Sequence, residues 1–333
     1  MNTPIPGTGP RGRYAPSPTG LTHLGNARTA LIAWLSVRNR GGSFVWRLED
    51  LDTPRTIAGT AEAAAEDLSW LGLDWDEGGG LPGDCGPYEQ SARGNIYDTA
   101  LARLAGRGVT FPCKRSRRDL AAAASAPQTS HGSSPYPAAF RPKDLAGDWY
   151  PRLRSMEQPD AAVRFRVEPG VVRFNDAVYG EISESVAEAV GDFVLKRRDG
   201  LYAYQLAVVV DDLQMGINEV VRGRDLLEST ARQIVLIRAL GGKVPAYAHV
   251  PLLLATDGEK LSKRNHALTL RSLRTSGVAP EQVVGWLAAS CGLLPTAKAC
   301  SAGELIESFN WNRMARNDQT TPDDVTDRIR ALR

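Results

Sequence analysis

Residues 14–31, YAPSPTGLTHLGNARTAL, join a stiff loop directly to a helix, and they constrain this chain more than any other stretch. Two prolines and a glycine hold the loop in one shape, and apolar residues at helical spacing follow it. The start of such a helix presents N–H groups and the positive end of its dipole, which suit a phosphate. His23 and Asn26 can add donors for the same anion. The alternative interpretation of this stretch alone is a rigid turn with a solvated histidine.

The order of predicted elements indicates an α/β fold with a doubly wound parallel sheet. Strands at about 13–15, in GGSFVWRLEDLD and in VTFPC alternate with helices at about 24–40, 60–71 and 88–106. This alternation is typical of such sheets. The buried helix QLAVVVDDL, the strand NEVVRG, a helix at about 225–240 and the strand HVPLLL continue it later in the chain.

A different pattern separates the two halves of this core. Alternating residues predict one hairpin from VRFRV and VVRFND, and a second in DFVLKRRDGLYAY around a turn at Asp199 and Gly200. We therefore expect a β-containing insertion with a flexible loop at 119–139, where alanine, serine, proline and glycine dominate. The predicted segments are 11–113 for the first half of the core, 114–190 for the insertion, 191–270 for the second half and 271–333 for a short C-terminal helical region.

Composition places few limits on function. The 333 residues are 42% apolar, and 40 basic residues nearly balance 38 acidic ones, so any RNA site is expected to be a local basic patch. The four cysteines are far apart and form no CxxC pair, which disfavours a disulfide framework. The sequence shows neither a signal peptide nor a run of about 18 apolar residues, so we expect a cytoplasmic protein with no membrane partner.

A second phosphate motif lies in the polar loop ATDGEKLSKRNHAL. Lys260 and Lys263 are three residues apart there, so both can reach one polyphosphate and neutralise the charge that develops as pyrophosphate leaves. Taken alone, the two lysines are also compatible with a solvated loop. Together with residues 14–31 at the opposite end of the core, they favour ATP as the ligand.

These motifs resemble the class I aminoacyl-tRNA synthetases of the glutamate type. HLGN resembles their HIGH signature, and KLSKR resembles their KMSKS signature. Further blocks follow in the order of the glutamyl enzymes: RYAPSPTG, WRLEDLDTPR, YEQSARGNIY, YQLAVVVDD and VVRGRDLLEST. The resemblance covers roughly residues 11–270 and implies a Rossmann-like class I synthetase core. Within the family, KLSKRNHAL and the uninterrupted YQLAVVVDD are most similar to a shortened branch.

The resemblance implies a pocket for L-glutamate. A glutamate pocket must hold two carboxylates and one ammonium, so it needs fixed cations and at least one anion. Arg13 and Arg222 match the family's carboxylate-binding arginines, and Glu49 matches its ammonium-binding acid. Tyr204 matches the tyrosine that lines the pocket, and Ser17 lies in the same loop as the first motif. Both arginines and the acid fall at predicted strand ends, where parallel sheets bind ligands.

The resemblance also implies a two-step acyl transfer. Glutamate first attacks the α-phosphate of ATP to give glutamyl-adenylate, and a hydroxyl of RNA then takes the acyl group. His23, Gly25 and Asn26 are expected to bind the ATP phosphates, and Lys263, assisted by Lys260, the departing pyrophosphate. Positioning and charge carry this chemistry, so no covalent nucleophile is needed. Mg²⁺ is expected to arrive with ATP without a protein-only metal cage.

The chain departs from the family pattern at three places. Asn26 stands where the HIGH signature has its second histidine, and it can donate a hydrogen bond but cannot become cationic. Arg264 replaces the last serine of KMSKS and adds positive charge. The third departure is at the zinc knuckle.

The family's zinc knuckle is commonly Cys-x-Cys followed by Tyr-x3-Cys. Cys113 and Tyr136 match this pattern, but Arg115 and Phe140 occupy the other two positions. A four-ligand site cannot be built from these side chains, so we predict no structural zinc. The CKRSRR stretch offers a basic strip that is compatible with RNA contact or with a solvated face.

The acceptor of the glutamate is inferred from the end of the chain. Few residues follow Lys263, and they predict short helices in EQVVGWLAASCGLL and SAGELIESF with no room for an anticodon-binding body. In the shortened branch, glutamate is placed on queuosine at the first anticodon position of tRNA(Asp), and we expect that acceptor here. The alternatives are a minimal glutamyl-tRNA synthetase that charges tRNA(Glu) and a catalytically silent RNA-binding paralogue.

Overall fold

The computed structural model describes residues 9–115, 135–156, 159–261 and 268–333. Its strands are β1 (Arg11–Tyr14), β2 (Ser43–Trp46), β3 (Thr110–Cys113), β4 (Ala162–Phe165), β5 (Val172–Asp176), β6 (Gly180–Glu184), β7 (Phe193–Lys196), β8 (Glu219–Gly223), β9 (Ala246–Val250), β10 (Leu253–Leu254) and β11 (Gln319–Thr320). Its α-helices are α1 (Leu24–Arg38), α2 (Thr60–Trp70), α3 (Gly94–Gly106), α4 (Trp149–Arg154), α5 (Val186–Ala189), α6 (Tyr204–Gln214), α7 (Thr230–Ala239), α8 (Leu270–Thr275), α9 (Pro280–Ser290) and α10 (Val325–Arg330).

The central layer is built from parallel strands. β1 pairs with β2 in parallel, and β9 pairs in parallel with both β8 and β5. The Asn218 N–H donates to the carbonyl of Arg11, which places β1 against β8. Helices connect these strands and cover the layer, so the predicted α/β fold class is confirmed. β6 was not predicted, and it extends the layer as an antiparallel neighbour of β5.

Helix α1 is buried on nearly all sides. Its sequence, LGNARTALIAWLSVR, is apolar around most of the helix, which is typical of a helix covered by protein on both sides. One side lies against β1 and β8, and the other against α9 in the C-terminal region. Arg28 of α1 donates to the carbonyls of Pro251 and Ser290, so the C-terminal region is joined to the core. β11 adds to this by pairing with β10.

The insertion differs from its prediction in its strand pairing. VRFRV and VVRFND do not form a hairpin with each other. β4 pairs with β3 and β7 in an antiparallel sheet, whereas β5 pairs with β6 and β9 of the central layer. Residue alternation predicts a strand but not its partner, which explains the wrong pairing. The four segment boundaries stay a prediction.

The second predicted hairpin is confirmed. Lys196 is bridged to Tyr202 in antiparallel fashion, and Gly200 has a φ of +87° at the turn between them. Two predicted helices begin with 3-10 turns, Gln90–Arg93 before α3 and Arg224–Ser229 before α7. The expected loop at 119–139 lies outside the described residues except for 135–139. Within the described ranges, no helix is long and apolar enough to cross a bilayer.

Close packing at Gly285 of α9 yields a stability prediction. A Cβ at this position would lie 1.7 Å from the carbonyl oxygen of Lys298, so Gly285→Ala is expected to cost about 1–3 kcal/mol of unfolding free energy. Gly106→Ala is the matched control, since its Cβ would meet no atom within 4 Å. Thermal unfolding followed by circular dichroism should show a lower Tm only for Gly285→Ala. Equal Tm values for the two variants would contradict this packing.

Candidate active site

A cleft of about 480 Å³ opens where β1, β8 and β9 end. The predicted site residues that line it are Arg13, Ser17, His23, Gly25, Asn26, Glu49, Tyr204, Arg222 and Lys260. Every predicted substrate or phosphate residue within the described part of the chain therefore lies in this one cleft. Lys263 and Arg264 fall outside the described residues. The roles assigned to all of these residues stay predictions.

The loop before α1 is fixed against the chain that follows β2. The Glu49 N–H donates to the carbonyl of Pro16 at 2.9 Å, and the Ile57 N–H donates to that of Pro18 at 2.8 Å. The Thr19 N–H closes a tight turn on the carbonyl of Ser17 at 2.8 Å. These bonds bring Ser17 to the same rim as Glu49 without any substrate present.

His23 caps helix α1. Its backbone is extended, and its Nδ1 accepts from the N–H groups of Gly25 at 3.1 Å and Asn26 at 3.4 Å. This differs from the expectation that the first-turn N–H groups face a phosphate directly, because the imidazole itself receives two of them. A lone pair on Nδ1 leaves the hydrogen of the neutral ring on Nε2. A Cβ on Gly25 would lie 3.0 Å from this ring, which explains the glycine in HLGN.

Arg47 links the acids of the cleft and was missed by the sequence analysis. Its side chain has no exposed surface, and it donates to Asp212 at 2.6 Å and to Glu49 at 3.1 Å. Arg13 donates to the same Asp212 oxygen at 3.4 Å and to the carbonyl of Val221 at 3.0 Å. The sequence does carry a signal for this contact. FVWRLE and LAVVVDD are apolar runs that contain charged residues, and charged residues that are buried are usually paired with one another.

The buried charges shift one another's pKa values. Burial opposes the charge on Arg47, but Asp212 and Glu49 outweigh it and raise the Arg47 pKa. Burial raises the pKa of Glu49, and the arginines Arg47 and Arg13 reverse this only in part. For Asp212, burial is outweighed by Arg47 and Arg13, so its pKa is lowered. Glu49 is thus a carboxylate that still lacks a full set of positive partners.

Asp211, the neighbour of Asp212 on helix α6, has its own group of buried polar partners. Asp211 accepts from Arg93 at 2.6 Å, from Gln90 at 2.7 Å and from the Tyr97 hydroxyl at 3.0 Å. These partners come from α3 and the turn before it, so the paired acids of VVVDD attach α6 to two different parts of the core. Asp211 pairs closely with Arg93 and, at 3.8 Å, with Nε of Arg47. Asp212 accepts hydrogen bonds from Arg47 and Arg13.

Arg222, at the end of β8, is buried and held by four hydrogen bonds. It donates to His249 at 3.0 Å, to Gln233 at 2.7 Å, to Thr230 at 2.8 Å and to the carbonyl of Leu226 at 3.2 Å. A guanidinium carries five N–H hydrogens, so one on Nη1 has no acceptor among the described residues. Arg222 also lines the cleft, so this hydrogen is available to a further acceptor.

The buried residues that line the cleft carry a net positive charge. Arg13 and Arg222 contribute two cations and Glu49 contributes one carboxylate, whereas Arg47 and Asp212 lie behind the lining and neutralise each other. Lys260 and Asp225, at the rim, pair with each other at 3.2 Å. The surplus of one positive charge complements a ligand with two carboxylates and one ammonium.

The positions of the family's zinc knuckle hold contacts of another kind. The Cys113 sulfur and the Tyr136 hydroxyl are 3.5 Å apart and hydrogen-bonded, and that hydroxyl also contacts the carbonyl of Phe140 at 3.3 Å. The Arg115 guanidinium carbon lies 3.8 Å from the centroid of the Phe140 ring, a cation–π contact. In the described part of the chain, no three His, Cys, Asp or Glu side chains cluster as a metal site. This donor set does not fit zinc, and the prediction of no structural zinc stays a prediction.

The fold and the cleft together agree with the class I aminoacyl-tRNA synthetases, in which an ATP-dependent synthetase site lies at the end of a parallel sheet. A family model described as tRNA synthetases class I (E and Q), catalytic domain, matches residues 11–325, and the chain belongs to this family. Membership of the family implies the use of ATP.

Individual relatives are similar over nearly the whole chain. A glutamyl-Q tRNA(Asp) synthetase of Symbiobacterium thermophilum is 47% identical over 316 residues, which are 93% of this chain and 95% of the relative. One of Nitratidesulfovibrio vulgaris is 42% identical over 96% of this chain and 98% of its own length. A crystal structure of a glutamate tRNA ligase from Elizabethkingia meningosepticum, in complex with its amino acid, has a TM-score of 0.80 at 27% identity, covering 96% of this chain and 68% of that one.

The altered knuckle gives a metal-binding prediction. The purified protein is expected to hold no stoichiometric zinc by elemental analysis, because Arg115 and Phe140 cannot act as ligands. The double variant Arg115→Cys and Phe140→Cys restores the four-residue pattern and should gain about one zinc per chain. Adding Cys113→Ser to the double variant is the control and should remove the metal. One tightly held zinc in the unaltered protein would refute this account of the knuckle.

Proposed function

We propose that this chain activates L-glutamate with ATP as glutamyl-adenylate and transfers the glutamate to queuosine at the first anticodon position of tRNA(Asp). The observation that carries the proposal is the buried cluster of three arginines and two carboxylates beside the histidine-capped start of α1. The cluster complements an acidic amino acid, and the helix start suits a phosphate. The relatives named as glutamyl-Q tRNA(Asp) synthetases support the choice of acceptor.

Glutamate is placed by charge. Arg13 keeps three N–H hydrogens that have no acceptor among the described residues, and Arg222 keeps one, so these two arginines receive the carboxylates. Glu49 receives the ammonium, since its raised pKa reflects a carboxylate that gains from another cation. Tyr204, at the first position of α6, closes the wall of the cleft between them.

ATP lies with its phosphates towards the start of α1. His23, Gly25 and Asn26 line that end of the cleft, and the N–H groups of Gly25 and Asn26 donate to Nδ1 of His23. A glutamate carboxylate oxygen attacks the α-phosphorus, and the bond to the pyrophosphate oxygen breaks. Lys263, with Lys260, neutralises the leaving pyrophosphate, and Mg²⁺ accompanies ATP as part of the substrate.

The transfer step needs no protein nucleophile. A hydroxyl of the queuosine cyclopentene-diol attacks the carbonyl carbon of the adenylate, and AMP departs as the ester forms. The proton of the hydroxyl leaves with the phosphate or to water. The protein's contribution is to hold the adenylate in the cleft and admit the anticodon loop to it.

Transfer of labelled glutamate tests the proposal. The protein is supplied with ATP, Mg²⁺ and purified tRNA(Asp) with and without queuosine, alongside tRNA(Glu). Label only on queuosine-bearing tRNA(Asp) is the expected result. Label on tRNA(Glu) would instead establish a minimal charging enzyme, and no label on any tRNA would establish a silent paralogue.

Lys263→Ala is expected to slow adenylate formation about 10²- to 10³-fold, because the charge on the leaving pyrophosphate is no longer neutralised. The measurement is pyrophosphate exchange into ATP in the presence of glutamate and tRNA(Asp). Lys243→Ala, which alters an exposed lysine away from the cleft, is the control and should retain full activity. Near-normal exchange by Lys263→Ala would remove this lysine from the reaction.

The raised pKa of Glu49 predicts that glutamate binding depends on pH. A bound ammonium favours the charged form of Glu49 and opposes the rise in its pKa caused by burial, so affinity for glutamate should fall as pH is lowered and Glu49 becomes protonated. The lowered pKa of Asp212 keeps that neighbour charged throughout. Calorimetry in two buffers of different ionisation enthalpy should detect proton release on binding. In Glu49→Gln, binding should be weaker and proton release absent; unchanged release would assign the proton to another group.

A further inference from the structure

Two buried side chains stand next to Arg222 but do not line the cleft. His249 of β9 has its Nε2 3.0 Å from the Nε of Arg222, and its Nδ1 lies 2.7 Å from Oδ2 of Asp176 at the end of β5. The side chains of His249 and Asp176 have no exposed surface. The sequence analysis assigned no role to either residue.

The hydrogen-bond partners of His249 determine its tautomer. The Nε of an arginine can only donate, so Nε2 of His249 accepts from it, and the Thr230 hydroxyl 3.3 Å away can donate to the same nitrogen. The hydrogen of the neutral imidazole is then on Nδ1, where it donates to Asp176. In a protonated His249, the Nε2–H would point at the Nε–H of Arg222, and neither group could accept. In agreement, burial lowers the pKa of His249 despite the hydrogen bond to Asp176 that raises it.

Asp176 is itself fixed by the backbone. Its Oδ1 accepts from the N–H groups of Val178 at 2.9 Å and Tyr179 at 3.0 Å, and from that of His249 at 3.4 Å. Burial raises the pKa of Asp176, but these bonds and His249 outweigh it, so its pKa is lowered. The carboxylate is therefore charged, and both of its oxygens are held.

The strands make this arrangement rigid. β5, β9 and β8 are neighbours in one parallel layer, with Asp176 opposite Tyr247 and Arg222 opposite His249. Each of the three polar side chains thus comes from a different strand, in one row across the sheet. The row ends at the guanidinium that faces the cleft.

We propose that Asp176 and His249 are positioning residues that orient the guanidinium of Arg222 toward a substrate carboxylate. The inference rests on the proposed function, since it concerns how the glutamate site is held. Arg222 retains a single N–H for the substrate, so a rotation of its guanidinium plane removes that contact entirely. Three acceptors hold the terminal nitrogens of Arg222, and Nε2 of His249 is the acceptor at Nε. Only one tautomer of His249 supplies that acceptor, so His249 and Asp176 complete the set of contacts that fixes the guanidinium plane.

His249→Leu and His249→Gln form the decisive pair. Leu fills the space but supplies no acceptor, whereas Oε1 of Gln can take the place of Nε2 and accept from Arg222. The KM for L-glutamate in pyrophosphate exchange should rise about tenfold to a hundredfold in His249→Leu and return towards the original value in His249→Gln. The KM for ATP should change little in both, because ATP lies at the other end of the cleft. A residue that only fills the core would give the opposite order, since Leu is the better apolar filler.

Asp176→Asn tests the tautomer. The asparagine amide would donate to Nδ1 and move the imidazole hydrogen to Nε2, where it opposes the Nε–H of Arg222. Long-range ¹H–¹⁵N spectra of histidine-labelled protein should show the Nδ1–H form in the original chain and the Nε2–H form in the variant. The same variant should raise the glutamate KM. A switched tautomer with an unchanged glutamate KM would overturn the proposal.

Arg222→Ala separates this proposal from the one on which it rests. If Arg222→Ala raises the glutamate KM strongly while His249→Leu and Asp176→Asn do not, only the positioning role is wrong. If Arg222→Ala also leaves the glutamate KM unchanged, the glutamate site itself is wrong. Circular dichroism and Tm are measured for every variant, and His249→Gln provides the comparison should Asp176→Asn fail to fold.

Discussion

The site depends on the ion pairs that the fully buried guanidinium of Arg47 makes. Arg47 follows β2 directly and binds both Glu49 and Asp212 of α6, and Asp212 in turn binds Arg13 of β1. Burying charges is unfavourable, and removing one member of such a set costs about 3–5 kcal/mol, because its partners are left without compensation. This set lies beside the cleft and fixes two cations and two carboxylates relative to one another.

The two ends of the cleft are organised differently. At the end that holds Arg13 and Arg222, side chains are immobilised by each other and by β8 and β9, which gives a pre-organised environment for charge. At the end beside the histidine-capped start of α1, Lys260 is exposed and pairs with Asp225 at the rim. Under the proposed function, the amino acid would be selected by these immobilised side chains, and pyrophosphate would be bound by residues at the rim.

The gathering of these residues in one cleft could be predicted from the sequence, because Arg13 and Arg222 lie near the ends of recognisable strands, Glu49 follows one, and parallel strands end at one edge. Their supporting residues could not be predicted, because the contact of Arg47 with Asp212 spans 165 positions and that of His249 with Asp176 spans 73. The same limitation applies to pairing: alternation identified β4 and β5 as strands but placed them together, although they belong to different sheets. Local patterns specify elements, and long-range burial decides their partners.

In the proposed function, the cleft binds a glutamyl-adenylate with the amino acid beside Arg13 and Arg222 and the phosphate at the start of α1. The decisive measurement is a crystal structure with a non-hydrolysable glutamyl-adenylate analogue. We expect carboxylate contacts to Arg13 and Arg222, the ammonium on Glu49 and the phosphate mimic within reach of His23. An analogue bound with its side-chain carboxylate away from both arginines, or outside this cleft, would contradict it.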